Sequence, residues 1–361
     1  MPVISGTRRE NLFEAHSNPV LTVLFFMVLT PQSRVLVTGG AGFIGSRLIH
    51  ELNNRGVEQI VVADFLGHDE KWRNLEPLAF AEYVDAGDLL DALEAGRLGS
   101  FDLVLHMGAC SSTTERDAAY LMRNNYEYTR RLAEWSIGHG AKVVYASSAA
   151  TYGNGEAGMD DSSELSSLRR FHPLNMYGYS KHLFDMYAAR NGLLERCVGV
   201  KYFNVFGPNE QHKGEMRSMV NKAYSQIKDA GVVRLFRSYR DDYRDGEQCR
   251  DFIYVNDAVA MTLHLAESAG AAGLFNIGSG RSETWLDLAS AVFAAMELEP
   301  KIEFIDMPVH MQAGYQYSTI ADIRRLRETG YDQAVTPLAV SVRDYVTCYL
   351  HGHRCELDER G

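Results

Sequence analysis

Three glycines, Gly39, Gly42 and Gly45, follow one another at intervals of three directly after the apolar run Val35-Leu36-Val37-Thr38. A strand that hands over to a helix through such a turn is built to hold a dinucleotide. Gly39 permits the sharp turn, Gly42 lets backbone N–H groups approach a pyrophosphate with no Cβ between, and Gly45 lets the helix close on the strand. Phe43 and Ile44 open that helix, so its free N–H groups and positive dipole end face the phosphates. With Leu48 and Leu52 they also give it an apolar stripe. Ile60 to Ala63 reads as a second strand that ends at Asp64 and Phe65, about 20 residues past the last glycine, where a carboxylate accepts hydrogen bonds from the adenosine ribose. A tight structural turn would explain the glycines alone. It does not explain strand, helix and acid together.

With 361 residues, 46% hydrophobic and 23% charged, the chain is long enough for a large core and two lobes and has the composition of a soluble globular protein. Its formal net charge of -11 argues against nucleic acid as a partner, because a phosphate backbone demands a basic footprint. The five cysteines are odd in number and form no CxxC pair, which fits a reducing cytosol. Residues 1–33 precede the first strand. Their apolar stretch from Val20 to Leu29 is too short to span a bilayer and lacks a small-residue cleavage site after it. We expect this extension to stand outside the fold, with Met27 the natural start or the extension disordered. Cys348, His351, His353 and Cys355 are all suitable zinc ligands, but they crowd a fraying terminus and we assign no metal.

Alternating strand and helix signals place strands near 34–38, 60–63, 102–106, 142–146 and 197–202, which implies a parallel sheet covered on both faces. The helix over 117–138 carries Leu121, Tyr128, Leu132 and Trp135 on one side, a stripe that reads as core. From Asn204 the rhythm loosens. The expected architecture is α/β, a Rossmann-type doubly wound parallel sheet with a smaller α/β substrate-binding lobe. Residues 34–203 form the nucleotide-binding domain, 252–277 return to it with the run Arg250 to Val255 rejoining the main sheet, and 204–251 with 278–361 form the second lobe.

Ligands of such sheets bind beyond the carboxyl ends of the strands. Three segments stand there: Gly108-Ala109-Cys110-Ser111-Ser112-Thr113-Thr114-Glu115, Ser147-Ser148-Ala149-Ala150-Thr151-Tyr152-Gly153, and Asn175-Met176-Tyr177-Gly178-Tyr179-Ser180-Lys181 opening a helix. Tyr177 and Lys181 are four apart and so share a helix face. Tyr224 and Lys228 have the same spacing but no serine-bearing strand end before them, and read as a solvated helix face. A base that takes a proton from a sugar hydroxyl while hydride leaves must be ionisable near neutrality, and tyrosine, with a pKa near 10, needs help. A lysine ammonium one turn away plus a positive nicotinamide ring favours phenolate, and a shift of about three pH units is worth about 4 kcal/mol. Lys181 can also hold the nicotinamide ribose, and Ser148 can share the hydrogen bond to the reacting oxygen.

On these motifs the chain resembles the extended short-chain dehydrogenase/reductases, and from Arg34 to about Leu350 it is most similar to the ADP-L-glycero-D-manno-heptose 6-epimerase family. The specific parts are Cys110-Ser111-Ser112-Thr113-Thr114-Glu115 and His212-Lys213-Gly214; the glycine and Tyr/Lys motifs belong to the whole superfamily. The resemblance implies transient oxidation at C6 of the heptose of a nucleotide sugar to a ketone, which turns and is reduced on its other face. It implies Tyr177, Lys181 and Ser148 as the catalytic triad and Lys213 as a second acid/base. NADP is the implied cofactor, held by Gly39, Gly42, Phe43, Ile44, Gly45, Asp64, Phe65, Lys71, the turn Gly108, Ala109, Cys110 and Ser111, Asn124, Tyr177, Lys181 and Val205. The implied substrate contacts are Ser148, Asn204, Lys213, Glu215, Lys222, the segment Leu235, Phe236, Arg237 and Ser238, then Arg250 and Tyr315. A second cofactor lysine of the family is Ala86 here, so weaker discrimination against NAD is expected. Sugar dehydratases of the superfamily place an Asp-Glu pair after the serine; Ala149 and Ala150 stand there, so elimination lacks its acid. A sugar 4-epimerase and a catalytically silent nucleotide-binding protein are the rival readings. Cytoplasmic lipopolysaccharide precursor supply and a homo-oligomer, a pentamer in the family, complete what the resemblance implies.

Overall fold

A computed structural model describes residues 28–312 and 315–351 of the chain. The strands β1 (Val35–Thr38), β2 (Ile60–Asp64), β3 (Glu82–Asp85), β4 (Leu103–His106), β5 (Lys142–Ser148) and β6 (Cys197–Tyr202) join Gly273–Ile277 in a seven-stranded sheet. Its order is Gly273–Ile277, β6, β5, β4, β1, β2, β3, and every pairing is parallel. Such strands need apolar side chains on both faces because helices cover both. Val35, Leu36, Val37, Leu103, Val104 and Leu105 are accordingly fully buried, each contributing about 2 kcal/mol of transfer free energy. β3 is the edge strand and its Glu82 and Asp85 are exposed, so it carries no apolar signal.

The strand order reverses between β1 and β4, and there the carboxyl ends part to leave a crevice. In β1, Thr38 lies beside Ala63 of β2 and His106 of β4, so the glycine turn opens at the mouth of that crevice. The return to the main sheet is made by Gly273–Ile277 beside β6, not by the run from Arg250. Phe252–Tyr254 instead pairs in parallel with Asn204–Phe206, and Cys249–Arg250 pairs antiparallel with Glu283–Thr284. A further parallel pair, Val233–Phe236 with Ile302–Ile305, also stands apart from the main sheet. These strands are only two to four residues long and are fixed by partners distant in sequence.

The helix expected over 117–138 is interrupted by a π-helical turn, Met122–Glu127, between Ala118–Leu121 and Tyr128–Gly138. The helix Met176–Arg190 is capped by the Asn175 side chain, which accepts from the Gly178 N–H at 2.8 Å. Of the N-terminal extension, residues 1–27 lie outside the described residues, and with them the expectation about Met27; Leu29 is buried in the main core.

Candidate active site

Two cavities share a wall over the crevice. The first, about 440 Å³, is lined by the glycine turn, Asp64, Phe65, Lys71, Ala86, Gly108 to Ser112 and Asn124. The second, about 390 Å³, is lined by Ser148, Tyr177, Lys181, Asn204, Val205 and Trp285. Phe43, Ile44, Met107, Ala109, Ser111, Ala146, Lys213 and Met216 line both.

The glycine turn is a cradle that side chains would fill. A Cβ on Gly39, whose φ is +67°, would meet the Gly108 nitrogen at 2.6 Å, and one on Gly45 would meet the Gly39 carbonyl oxygen at 2.1 Å. One on Gly42 would meet the Gly39 carbonyl at 3.0 Å and otherwise project into the first cavity. Asp64 ties this turn to β2: its carboxylate accepts from the Ala41 N–H at 2.9 Å, the Phe65 N–H at 2.7 Å and the Lys71 ammonium at 2.9 Å. One hydroxyl in the first cavity was misread from the sequence. Tyr128, taken as core, lines the cavity, and its hydroxyl is buried without a hydrogen-bond partner among the described residues. Burial, with Asp64 and Asp85 nearby, drives that phenol far above its ordinary pKa, so it stays a proton donor. The cradle, the unpaired donor and the helix N-terminus together fit a dinucleotide.

Asn125 is a second residue the sequence reading missed. Fully buried in the π-helical turn, it accepts from the Cys110 N–H and donates to the Cys110 carbonyl, both at 2.9 Å, and donates to Ser180 Oγ at 3.0 Å. Ser180 Oγ in turn donates to the Tyr177 carbonyl at 2.7 Å, so one amide ties the loop after β4 to the helix Met176–Arg190. Its signal was an asparagine one turn from Leu121 on a buried helix face.

Tyr177 and Ser148 line the second cavity together, and the Ser148 hydroxyl is near enough to the phenol to favour its ionised form. Gly178 makes their approach feasible, since a Cβ there would meet the Ala150 carbonyl oxygen at 2.7 Å. Burial pushes the Tyr177 phenol up from its ordinary value, the Ser148 hydroxyl only partly opposing it. The Lys181 ammonium donates to the Ala146 carbonyl at 2.8 Å and is itself lowered by burial to about 8, with Asp185 and Cys110 opposing. Without a cofactor, burial outweighs what favours the phenolate, and a cation beside the ring would shift the balance toward it.

Lys213 stands on the short helix Gln211–Met216 with its ammonium 5.3 Å from the Phe43 ring centroid, on the wall between the cavities. Burial lowers it and Glu210 opposes, which suits a group that must give and take a proton. Buried Arg250 has Trp285 and Tyr315 at 5.4 and 5.1 Å from its guanidinium to their ring centroids, and Trp285 Nε1 donates to the Tyr315 hydroxyl at 2.9 Å; Trp285 lines the second cavity, whereas Arg250 and Tyr315 line neither. Asn204 donates to the Asp251 carbonyl at 3.1 Å beside the second cavity. Val205 lines that second cavity and not the first. Glu215 and Lys222 pair with each other at 3.6 Å and line neither cavity. Leu235 to Ser238 also line neither: Leu235 is a core side chain, and Arg237 pairs with Asp245 at 3.1 Å. Tyr224 is buried and donates to the Leu350 carbonyl, which corrects the solvated face expected there, although Lys228 is exposed. Residues 353 and 355 lie outside the described residues; among those described, no group of three or more potential metal ligands occurs.

Residues 35–278 match the model of the NAD dependent epimerase/dehydratase family. The chain belongs to that family. Within the family it is 50% identical, over 87% of its own length and 97% of the relative's, to the ADP-L-glycero-D-manno-heptose-6-epimerase of Nitratidesulfovibrio vulgaris. It is 41% identical to the protein of the same name from Fusobacterium nucleatum, over 88% and 98% of the two chains. Among solved structures, the Helicobacter pylori ADP-L-glycero-D-manno-heptose-6-epimerase matches with a TM-score of 0.74 at 27% identity, covering 90% of this chain and 98% of that one. A UDP-N-acetylglucosamine 4-epimerase from Methanobrevibacter ruminantium matches with a TM-score of 0.75 at 25% identity, over 89% and 99%. The family's fold is thus shared across epimerases, and the heptose name rests on the sequence relatives. No helix among the described residues is long and apolar enough to cross a membrane.

Proposed function

We infer that the chain is an isomerase that interconverts ADP-D-glycero-β-D-manno-heptose and ADP-L-glycero-β-D-manno-heptose by transient oxidation and re-reduction at C6, in cytoplasmic lipopolysaccharide core precursor supply and as a homo-oligomer. The observation that carries it is the position of Lys213 on the wall between the two cavities, with the Tyr177 and Ser148 pair in the second. Inverting one carbon requires the oxygen to point in two directions, and two acid/base groups serve the two directions.

When bound, the nicotinamide supplies reversible hydride acceptance and, oxidised, a positive charge. Tyr177 takes the hydroxyl proton at one orientation of the sugar, with Ser148 holding the oxygen, and Lys213 returns a proton at the other. Lys181 and the N–H groups that open the first helix hold the cofactor's ribose and phosphates. Arg250, close to the Trp285 and Tyr315 rings, takes the substrate diphosphate, and Ala149 and Ala150 leave no acid for elimination. NADP is the cofactor we propose. Lys71 is the cation beside Asp64, and Ala86 lines the same cavity without charge, so NAD is discriminated against only weakly.

Incubation of the purified protein with the D-glycero epimer should give an equilibrium mixture of both epimers by NMR, with no net NADPH formed. Bound NADP(H) should copurify, since a redox-neutral enzyme does not need to release it. A product inverted at C4, or none, would overturn the assignment.

A further inference from the structure

Beneath the catalytic helix lies an ion pair that nothing in the mechanism uses. Asp185 and Lys201 are both fully buried, 3.0 Å apart. An isolated buried pair of this kind is often no more stable than an apolar replacement, so its retention calls for a reason beyond stability. Its hydrogen bonds supply one. Asp185 sits one turn past Lys181 on the catalytic helix; it accepts from the Tyr145 hydroxyl at 2.9 Å and the Ser147 hydroxyl at 2.7 Å, both on β5. Lys201, on β6, donates to Thr151 Oγ1 at 2.7 Å, and Thr151 Oγ1 donates to the Ser148 carbonyl at 2.8 Å. The Lys201 ammonium also lies 4.6 Å from the Tyr152 ring centroid. Ser148 is therefore gripped on both sides, through Ser147 before it and Thr151 after it. One carboxylate and one ammonium join both grips to the helix that carries Tyr177 and Lys181.

We propose that Asp185 and Lys201 are positioning residues for the redox step: the pair fixes the helix that carries Tyr177 and Lys181 against the end of β5 that carries Ser148. This rests on the proposed roles of Tyr177, Ser148 and Lys181. The titratable and charged groups facing the Lys181 ammonium are Asp185 on its own helix, Cys110 from the loop after β4, and His106 on β4, which burial holds neutral with its pKa near 3. The Tyr177 phenol shares its cavity. Asp185 is the carboxylate among them, and burial of Lys181 acts against it.

The test compares Lys201→Met, which keeps the carboxylate, with the Asp185→Asn/Lys201→Met double variant, which removes both charges and leaves no unpaired ion. Protein labelled with ¹³C at lysine Cε reports the Lys181 titration directly, with a Lys181→Met variant giving the assignment. We expect Lys181 to titrate near pH 8 in the wild type. In the folded double variant it should titrate about one pH unit lower, and not lower in Lys201→Met. Turnover of the double variant at pH 7 should fall about tenfold or more with KM for the sugar within about twofold, and the alkaline limb of its pH–rate profile should move to lower pH. If Lys201→Met unfolds, the double variant is read against the wild type. Unchanged Lys181 titration and turnover in the folded double variant would reduce the pair to a structural filler and overturn the proposal. The titration needs no substrate, so a wild type inactive on ADP-heptose would sink the assigned reaction while the pair is still decided.

Discussion

The half of the site built on the seven-stranded sheet and the half contributed by the second lobe solve the same problem, holding a ligand, by different means. In the first, recognition is made of backbone: the glycine turn leaves room for phosphate only because a Cβ at Gly39 or Gly45 would strike main-chain atoms. In the second, recognition is made of side chains set on short elements, Lys213 over Phe43 and Arg250 beside Trp285 and Tyr315. A backbone site tolerates no change of residue and needs no particular side chain. A side-chain site tolerates motion of its carrier and fails when one functional group is lost.

The largest expected effect tests the backbone half. Gly45→Ala places a methyl 2.1 Å from the Gly39 carbonyl oxygen, and the turn has to move. Soluble, cofactor-loaded protein should be lost, a cost of about 3 kcal/mol or more in thermal unfolding. A Gly45→Ala protein that melts normally and retains cofactor would break the distinction. Next, Tyr177→Phe should lower turnover by about 10³-fold while the cofactor stays bound, measured by steady-state kinetics and absorbance of the purified protein. Lys213→Ala, from the side-chain half, should cost about 10² in turnover and leave folding intact; equal loss of thermal stability would show that its carrier depends on it. Arg250→Lys keeps the charge but loses the guanidinium that lies close to the Trp285 and Tyr315 rings, so KM for the nucleotide sugar should rise about tenfold with turnover little changed. The smallest effect is with pH. Lys181 is held near 8, below its unfolded value, so its ammonium is present below that pH and is lost as pH rises through it. Cofactor affinity should therefore fall between about pH 7.5 and 9. The folded protein should meanwhile gain stability toward pH 10, because the unfolded chain holds that proton longer.

The sheet half was legible because its buried parallel strands are mostly apolar runs and the candidate ligand positions follow strand ends. β3 escaped because its edge position leaves Glu82 and Asp85 in water. The second lobe was barely legible: a three-residue strand such as Phe252–Tyr254 has no period to read, and its partner Asn204–Phe206 is chosen by the folded chain. Tyr177, Lys181 and Ser148 could be found from motif and spacing, Lys213 only through the family resemblance, and the four line the two adjoining cavities. Tyr128 and Asn125 were hidden in a helix stripe that read as core, since spacing alone cannot tell a side chain that packs from one that bonds. The sign at Tyr177 was also out of reach. Spacing put a lysine near a phenol, but burial, which lifts the phenol and depresses the lysine, is a property of the assembled protein.

The chain leaves the main sheet after β6 and comes back as Gly273–Ile277, laid directly beside β6. Between them run the short strand pairs, Lys213, and the helix Val255–Glu267, which returns to pack in the main core. Changes in the short strand pairs of that excursion can retune which sugar is accepted, provided that Lys213 and that largely buried helix are kept.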